Sequence, residues 1–204
     1  MANDTSHSSD LTSVSLISRL RRQEPDAWVR LSRIYGPLVY RWCRRAGVHP
    51  DDTADVVQEV FRAVAKGIDG FRRENDGDSF RGWLFGITRF KVNDYFRSLA
   101  KQPDAAGGTS MQQRLAQVPE LDEASSHRIT SGDDQSLVVR EVLKLIRGEF
   151  EKKNWQAFWR TTIEGQTSTD AAAELNMTPN AVRQAKYRIL QRLRRELEEM
   201  EDLT

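Results

Sequence analysis

Six aromatic residues lie between Ser79 and Arg97, interspersed with four cations and a single acid, Asp94. Aromatic faces stack on unpaired bases and cations contact phosphates, so this stretch has the side chains that bind single-stranded nucleic acid. Ser79 is a suitable N-cap for a helix over this stretch. The alternative is that all six rings belong to the core of a helical domain, and the residue types alone leave both interpretations open.

A second basic stretch runs from Pro179 to Arg195 and contains six cations and no acid. Thr178 is a suitable N-cap with Pro179 at the first helical position, and Asn176 tolerates the left-handed conformation that a tight turn needs. A short helix near Ser168–Leu175 would precede this turn. The pattern predicts a helix-turn-helix whose second helix enters the major groove of DNA.

A third candidate surface lies on a helix predicted after Pro50, with Asp51 or Asp52 as its N-cap. Asp55, Gln58 and Glu59 fall at spacings of three and four residues and therefore share one helix face. The opposite face carries Val56, Val57, Val60, Phe61 and Val64, which should pack inward. No basic partner for the acidic face is obvious four residues away. The face is either simply solvated or binds a partner.

The residue types that many enzymes and metal sites require are missing. Cys43 is the single cysteine, and His7, His49 and His127 are scattered, which disfavours a disulfide, a zinc site or another bound cofactor. No glycine-rich phosphate loop or nucleophile–base pair is evident, so we expect a non-catalytic protein. No apolar run approaches the roughly 20 residues of a membrane helix, and the polar N-terminus lacks the features of a signal peptide. We therefore expect no membrane insertion and a cytoplasmic location.

Composition divides the chain into three parts. Residues 11–99 and 135–204 show helical periodicity, whereas residues 100–134 are acidic and rich in small polar residues, glycine and proline. Strand-like alternation is not convincing anywhere in the sequence. The predicted fold class is all-α: two small helical domains joined by a flexible linker, the C-terminal one a helix-turn-helix.

Apolar spacing predicts the buried faces of the first domain. Leu16, Ile17 and Leu20 form one face, and Pro37 is expected to end one helix and start another. The segment Gly67–Asp78 is predicted to be a polar loop. In the helix that follows this loop, Phe80, Leu84, Ile87 and Val92 are the predicted buried stripe.

Two motifs resemble the extracytoplasmic-function (ECF) sigma factors of the sigma-70 family. Asp55–Phe61 matches the family pattern D-x-x-Q-E-x-F, and Phe80–Arg97 matches F-R-x-W-L-x-x-I-x-R-N-x-x-x-D-x-x-R except that Phe90 replaces the Asn. The resemblance implies a protein that brings RNA polymerase to promoters. It also implies that Asp55, Gln58 and Glu59 contact the clamp helices of the largest polymerase subunit.

The resemblance assigns DNA contacts to the two basic stretches. Those for the minus-ten element are Arg81, Trp83, Arg89, Phe90, Lys91, Asn93 and Arg97, with the preceding loop capturing a flipped base. Those for the minus-thirty-five element are Asn180, Arg183, Gln184, Lys186, Tyr187 and Arg188. The implied partners are core RNA polymerase, promoter DNA and an anti-sigma factor. Two other classes of protein remain open. One is a conventional repressor or activator, which would have no use for the motifs Asp55–Phe61 and Phe80–Arg97. The other is a helical enzyme.

Overall fold

A computed structural model describes residues 16–72, 79–100 and 132–201 of the chain. Every regular element within these ranges is helical, which confirms the all-α class. The first part contains α1 (Leu16–Arg21), α2 (Pro25–Arg45), α3 (Pro50–Gly67), a 3-10 turn (Ile68–Gly70) and α4 (Phe80–Ala100). The second part contains α5 (Gly132–Ile146), a 3-10 turn (Arg147–Glu149), α6 (Lys152–Thr162), α7 (Ser168–Leu175) and α8 (Pro179–Glu201).

The chain separates into two compact units, the second of which spans Gln135–Glu198. Helix α4 continues to Ala100 and α5 begins at Gly132, so both edges of the predicted linker, 100–134, are helical. The rest of that segment lies outside the described residues. Its flexibility, and the domain boundaries drawn from composition, therefore stay predictions.

The first unit is built around the long helix α2, which packs against α1, α3 and α4. The predicted face of α1 is confirmed, since Leu16, Ile17 and Leu20 are all buried. Helix α2 contributes a continuous apolar stripe, and α3 packs between α2 and α4. The stripe consists of Ala27, Leu31, Ile34, Tyr35, Leu38, Val39, Trp42 and Cys43.

Pro37 does not divide this segment into two helices, and the expectation that it would is wrong. It lies inside the 21-residue helix α2. A proline there removes one backbone hydrogen bond and costs about 3 kcal/mol. Ile34, Tyr35, Leu38 and Val39 on either side are all buried. Their burial offsets this cost, because each large apolar side chain contributes roughly 1.5–3 kcal/mol.

The N-cap of α3 is His49, not Asp51 or Asp52. The His49 backbone is extended, and its Nδ1 accepts a hydrogen bond of 3.4 Å from the backbone N–H of Asp51. Pro50 occupies the first helical position, which it favours because it has no N–H to satisfy. The cap is therefore the residue before the proline.

The second unit contains the predicted pair of helices α7 and α8. Thr167 Oγ1 accepts a hydrogen bond from Asp170 N (3.1 Å) and so caps α7, and Asn176 ends that helix with φ 49° and ψ 53°. Thr178 Oγ1 then accepts from Ala181 N at 3.1 Å and caps α8. Small side chains let α6, α7 and α8 approach closely: Ala157, Ala171, Ala172, Val182 and Ala185 form the core between them.

Candidate polymerase and nucleic-acid interfaces

The polar face of α3 points to solvent. Asp55, Gln58 and Glu59 are all exposed, while Val56 and Val60 on the other side of the helix are buried. Val57 and Phe61 are only partly buried. The structure therefore brings the three predicted residues together on one accessible surface, which we call the α3 polar face.

The α3 polar face does have a basic partner four residues away, where the sequence analysis found none obvious, and that expectation is wrong. Arg62 forms an ion pair with Glu59, and its Nη2 donates a hydrogen bond to Gln58 Oε1 at 3.3 Å. Helical spacing explains both contacts, because Arg62 follows Glu59 by three residues and Gln58 by four. Both spacings are visible in the sequence. A partner that binds the α3 polar face must accommodate a cation beside the two acids.

The buried stripe of α4 differs from the prediction at Ile87 and also includes Thr88 and Phe96, which were not predicted. Phe80, Leu84, Thr88, Val92 and Phe96 are buried, whereas Ile87 is only partly buried. Thr88 is tolerated inside because its hydroxyl donates to the Leu84 carbonyl at 2.8 Å. The predicted stripe was wrong at Ile87 because a threonine that bonds its own helix backbone can be buried like an apolar residue.

Most aromatic residues of α4 are used in packing. Phe80 lies edge-on to Tyr35 with the ring centroids 5.3 Å apart, and Phe85 lies edge-on to Trp42 at 5.1 Å. Phe96 is buried and contacts the ring of Tyr95. For these rings the structure supports the alternative that they belong to the core.

Trp83 is also drawn into this aromatic cluster. Its ring centroid lies 4.9 Å from that of Phe71 and 5.6 Å from that of Phe80, and it is only partly exposed. A Cβ atom at Gly67 would lie 3.2 Å from the indole, so a glycine there gives the ring room. These contacts indicate a structural role for Trp83. Whether it also contacts DNA stays a prediction.

The sequence predicted a polar loop over Gly67–Asp78, but the start of this segment is not purely polar. Helix α3 runs through Gly67, and Ile68 and Phe71 are buried. Arg21 Nη2 donates a hydrogen bond of 2.6 Å to the Phe71 carbonyl and so ties this segment to α1. Base capture was expected in the segment Gly67–Asp78, of which residues 73–78 lie outside the described residues.

Tyr95 makes a contact that sequence reasoning missed. Its hydroxyl donates to Asp52 Oδ2 at 2.6 Å and links α4 to the first turn of α3. Burial, reinforced by the hydrogen bond to Asp52, raises the pKa of Tyr95 from 10.0 to about 12. No local pattern predicts this pair, because the two residues are 43 positions apart.

The outward side of α4 carries the remaining predicted minus-ten residues. Arg89, Phe90 and Arg97 are exposed, and Arg81, Lys91 and Asn93 are partly buried. Arg97 pairs with Asp94 at 3.2 Å. Phe90 is 60% exposed, and the ammonium of Lys91 lies 5.8 Å from its ring centroid. The outward side of α4 therefore carries one exposed ring, Phe90, and two exposed cations, Arg89 and Arg97.

The first turns of α8 expose most of the predicted duplex contacts. Asn180, Arg183, Gln184, Tyr187 and Arg188 all face solvent, opposite the buried Val182, Ala185 and Ile189. Lys186 is partly buried, and its Nζ lies 3.4 Å from the Thr161 carbonyl of α6. Five of the six side chains are therefore accessible, and Lys186 is directed towards the protein.

Farther along α8, a basic residue is held by acids. Arg192 donates to both carboxylate oxygens of Glu149, at 2.7 and 2.8 Å, and to the buried Glu196 at 2.6 Å. The stretch from Pro179 to Arg195 contains no acid, but α8 continues beyond it into acidic residues, and one of its cations is paired with acids on both α8 and another element. Glu196 follows Arg192 by four residues, a spacing visible in the sequence, whereas Glu149 is brought in by the tertiary fold.

Two properties of the described residues bear on other functions. No group of three or more His, Cys, Asp or Glu side chains in that part of the chain is arranged to hold a metal ion. Among the described helices, none is both long and apolar enough to cross a membrane.

The chain is similar in sequence to known sigma factors. The family model for Sigma-70 region 2 matches residues 31–102, which include the α3 polar face and all of α4. ECF RNA polymerase sigma factor SigD of Mycobacterium tuberculosis is 27% identical over 168 residues, covering 79% of this chain and 72% of the relative. ECF RNA polymerase sigma factor ShbA of Streptomyces griseus is 28% identical over 163 residues, covering 78% of this chain and 81% of the relative.

A solved structure of CnrH in complex with the cytosolic domain of CnrY is 23% identical to this chain, with a TM-score of 0.35. The match covers 90% of this chain and 95% of the matched chain in that structure. The matched family region and the two sigma-factor relatives agree with the motifs and with the all-helical fold. The match to Sigma-70 region 2 and the two relatives named as ECF RNA polymerase sigma factors support an ECF sigma factor of the sigma-70 family.

Proposed function

We propose that this sigma factor binds core RNA polymerase through the α3 polar face and contacts promoter DNA through α4 and α8. The observation that carries the proposal is the separation of charge between helices. The α3 polar face presents two acids and one cation, whereas cations outnumber acids on the outward side of α4 and in the first turns of α8. Protein and nucleic-acid partners would therefore use different faces of the chain.

The α3 polar face suits a protein partner. Asp55 and Glu59 are repelled by phosphates, so DNA is an unfavourable ligand for this surface, whereas a basic protein surface complements it. Arg62 holds Glu59 and Gln58 in place before binding. Fewer side-chain rotamers are then lost on association, which favours affinity. The clamp helices of the largest polymerase subunit are the expected partner.

The two basic surfaces suit the two promoter elements. On α8, Arg183 and Gln184 lie in the first turns after the Thr178 cap, where a recognition helix contacts base edges in the major groove. On α4, the exposed ring and cations suit the opened strands of the minus-ten element. We expect α8 to read duplex at the minus-thirty-five element and α4 to bind unpaired DNA.

Charge reversal on the α3 polar face tests the polymerase assignment. Asp55→Lys combined with Glu59→Lys should weaken core binding by more than about a hundredfold, because like charges brought together at an interface cost several kcal/mol. The measurement is the equilibrium affinity of the full-length variant for core polymerase. Its fold is checked by thermal melting.

A matched control reverses two acids elsewhere on the same unit. Asp26→Lys with Asp69→Lys makes the same change of charge at exposed positions away from the α3 polar face. This variant should keep wild-type affinity for core polymerase. Equal losses in both variants would show a general charge effect, and unchanged affinity in the Asp55/Glu59 variant would refute the assignment. A repressor or activator would not need to bind core polymerase at all.

The cytoplasm, where RNA polymerase acts, is the expected location of the protein. An anti-sigma factor as a further partner stays a prediction of the family resemblance. Reading the gene beside this one and testing its product for binding to the full chain would examine that prediction directly.

A further inference from the structure

Helix α6 lies behind the helix-turn-helix and has no role in the proposed function. It packs against α7. Four of the five buried residues in the core that it shares with α7 and α8 are alanines, and Leu175 and Met177 pack against this core. Methyl groups form only shallow ridges, so their packing fixes the angle between helices less firmly than large interlocking side chains do. Polar contacts between these helices therefore have a larger share in the orientation of α8.

Lys153 of α6 bonds to the turn between α7 and α8. Its Nζ donates a hydrogen bond of 2.8 Å to the carbonyl of Asn176, the left-handed residue that ends α7. Carbonyls at the C-terminus of a helix lack partners within the helix and carry partial negative charge, so a cation is a favourable partner for them. Lys153 thus caps α7 from a neighbouring helix, 23 positions away in the chain.

Lys186 of α8 makes a similar contact with the end of α6. Its side chain is partly buried, and its Nζ donates to the carbonyl of Thr161, in the last turn of α6, at 3.4 Å. Helix α6 therefore gives a cap to α7 and receives one from α8. An ion pair between Arg160 and Glu174 adds another polar link between α6 and α7.

We propose that Lys153 and Lys186 are positioning residues, which hold α8 at the angle that its exposed side chains need to reach base edges. The inference rests on the proposed function, because it requires α8 to read duplex DNA. It gives Lys186 a role different from the DNA contact that the family resemblance implies. Lys153 lies outside the predicted contact residues, and it would affect sequence recognition without touching DNA.

A direct contact with DNA is the alternative for both lysines, and the two roles have different signatures. A lysine that meets a phosphate adds to the affinity for every duplex, and its removal lowers the slope of log affinity against log salt by about one. A lysine that orients α8 leaves this slope unchanged, because the cations that meet phosphates remain. Its loss lowers the preference for the correct sequence, because hydrogen bonds to base edges depend on orientation.

The test uses holoenzyme reconstituted from core polymerase and the full chain. Wild-type holoenzyme selects its preferred sequence from duplexes with a random segment of 20 base pairs, and a scrambled version of that sequence is the non-specific probe. Lys153→Met removes the ammonium group and keeps the length of the side chain. It should lower the ratio of the two affinities by about fivefold, below the loss expected for a whole bidentate base contact. The salt slope for the scrambled duplex should not change.

Lys152→Met is the matched control, because it removes the same charge from the adjacent exposed position of α6. It should keep the wild-type ratio. Lys153→Arg should also keep this ratio, because a guanidinium can donate to the Asn176 carbonyl. Lys186→Met should lower the ratio as Lys153→Met does. Equal weakening of both duplexes in either methionine variant, or a salt slope reduced by about one, would overturn the proposal.

Arg183→Ala separates failure of this inference from failure of the proposed function. It should lower the ratio, because Arg183 is expected at base edges. If it does so while Lys153→Met and Lys186→Met keep the wild-type ratio, α8 reads duplex DNA but the lysines do not position it. If all three variants keep the ratio, the assignment of α8 to duplex DNA fails as well. Thermal melting checks the fold of each variant, and the exposed Lys153 keeps the test decisive even if Lys186→Met is unstable.

Discussion

Helices α4 and α8 carry the two basic surfaces of the chain, and they use aromatic residues differently. Helix α4 has six rings, five of which help to hold the first unit together. Helix α8 has one ring, Tyr187, which is 61% exposed and whose hydroxyl accepts a hydrogen bond from Gln191. An abundance of aromatics beside cations therefore says little about which ring meets a ligand. Exposure of the individual ring is the more informative property.

Helices α4 and α8 also differ in the polar side chains that they expose. The first turns of α8 expose arginine and glutamine, which form bidentate hydrogen bonds with base edges. The outward side of α4 offers a phenyl ring and cations, which suit stacking and backbone contact. Under the proposed function, α8 would contact duplex DNA and α4 an unpaired strand.

The largest effect is expected for the structural rings of α4. Trp83→Ala should lower the free energy of unfolding by about 3 kcal/mol, near the lower end for aromatic truncations because Trp83 is only partly buried. Tyr187→Ala in α8 is the matched control and should change stability little. The measurement is urea unfolding of both full-length variants. A Trp83→Ala protein of wild-type stability that forms no open complex would instead support the DNA contact that the family resemblance implies.

The next effect concerns duplex recognition by α8. Arg183→Ala should lower transcription from promoters with a defined upstream element by about tenfold or more, as a bidentate contact is worth about 1–3 kcal/mol. Affinity for core polymerase should not change. The measurement is run-off transcription with reconstituted holoenzyme. A loss of polymerase affinity in this variant would contradict the separation of binding faces.

Arg188→Ala extends this comparison along α8. If Arg188 meets a phosphate, its removal should weaken all duplexes alike and reduce the slope of log affinity against log salt by about one. Arg192 is not expected to act in this way, because Glu149 and Glu196 already hold it. An effect of Arg188→Ala that depended on promoter sequence would place Arg188 at base edges instead.

The smallest effect concerns the polar ring of α4. Because burial and Asp52 raise the pKa of Tyr95 to about 12, the folded chain keeps this proton at a pH where the unfolded chain has lost it. The resulting stabilisation is complete below about pH 10 and is lost as the pH rises to about 12. Tyr95→Phe should therefore show a shallower fall in stability across this range. Urea unfolding of the wild type and of this variant at several pH values measures the difference.

Local patterns in the sequence determined the helical class, several helix caps and the members of the exposed faces. Ser79 caps α4 through Gly82 N, Asn176 is left-handed and Thr178 caps α8, all as predicted. These features depend on backbone geometry and on neighbours within four residues, which a sequence displays directly. The α3 polar face was predictable for the same reason, and so was its partner Arg62, which the prediction overlooked.

Contacts between distant residues were decided only by the tertiary structure. Pro37 remains inside α2 because buried neighbours offset the missing hydrogen bond, and Trp83 packs on Phe71 because the turn after α3 brings that ring to it. Glu149 reaches Arg192 across 43 residues, and Asp52 reaches Tyr95 across the same separation. Periodicity shows which side of a helix is apolar but not which element will cover it. The sequence therefore indicated where rings and charges are concentrated, and only the packing of the helices decided that Phe90 would remain exposed.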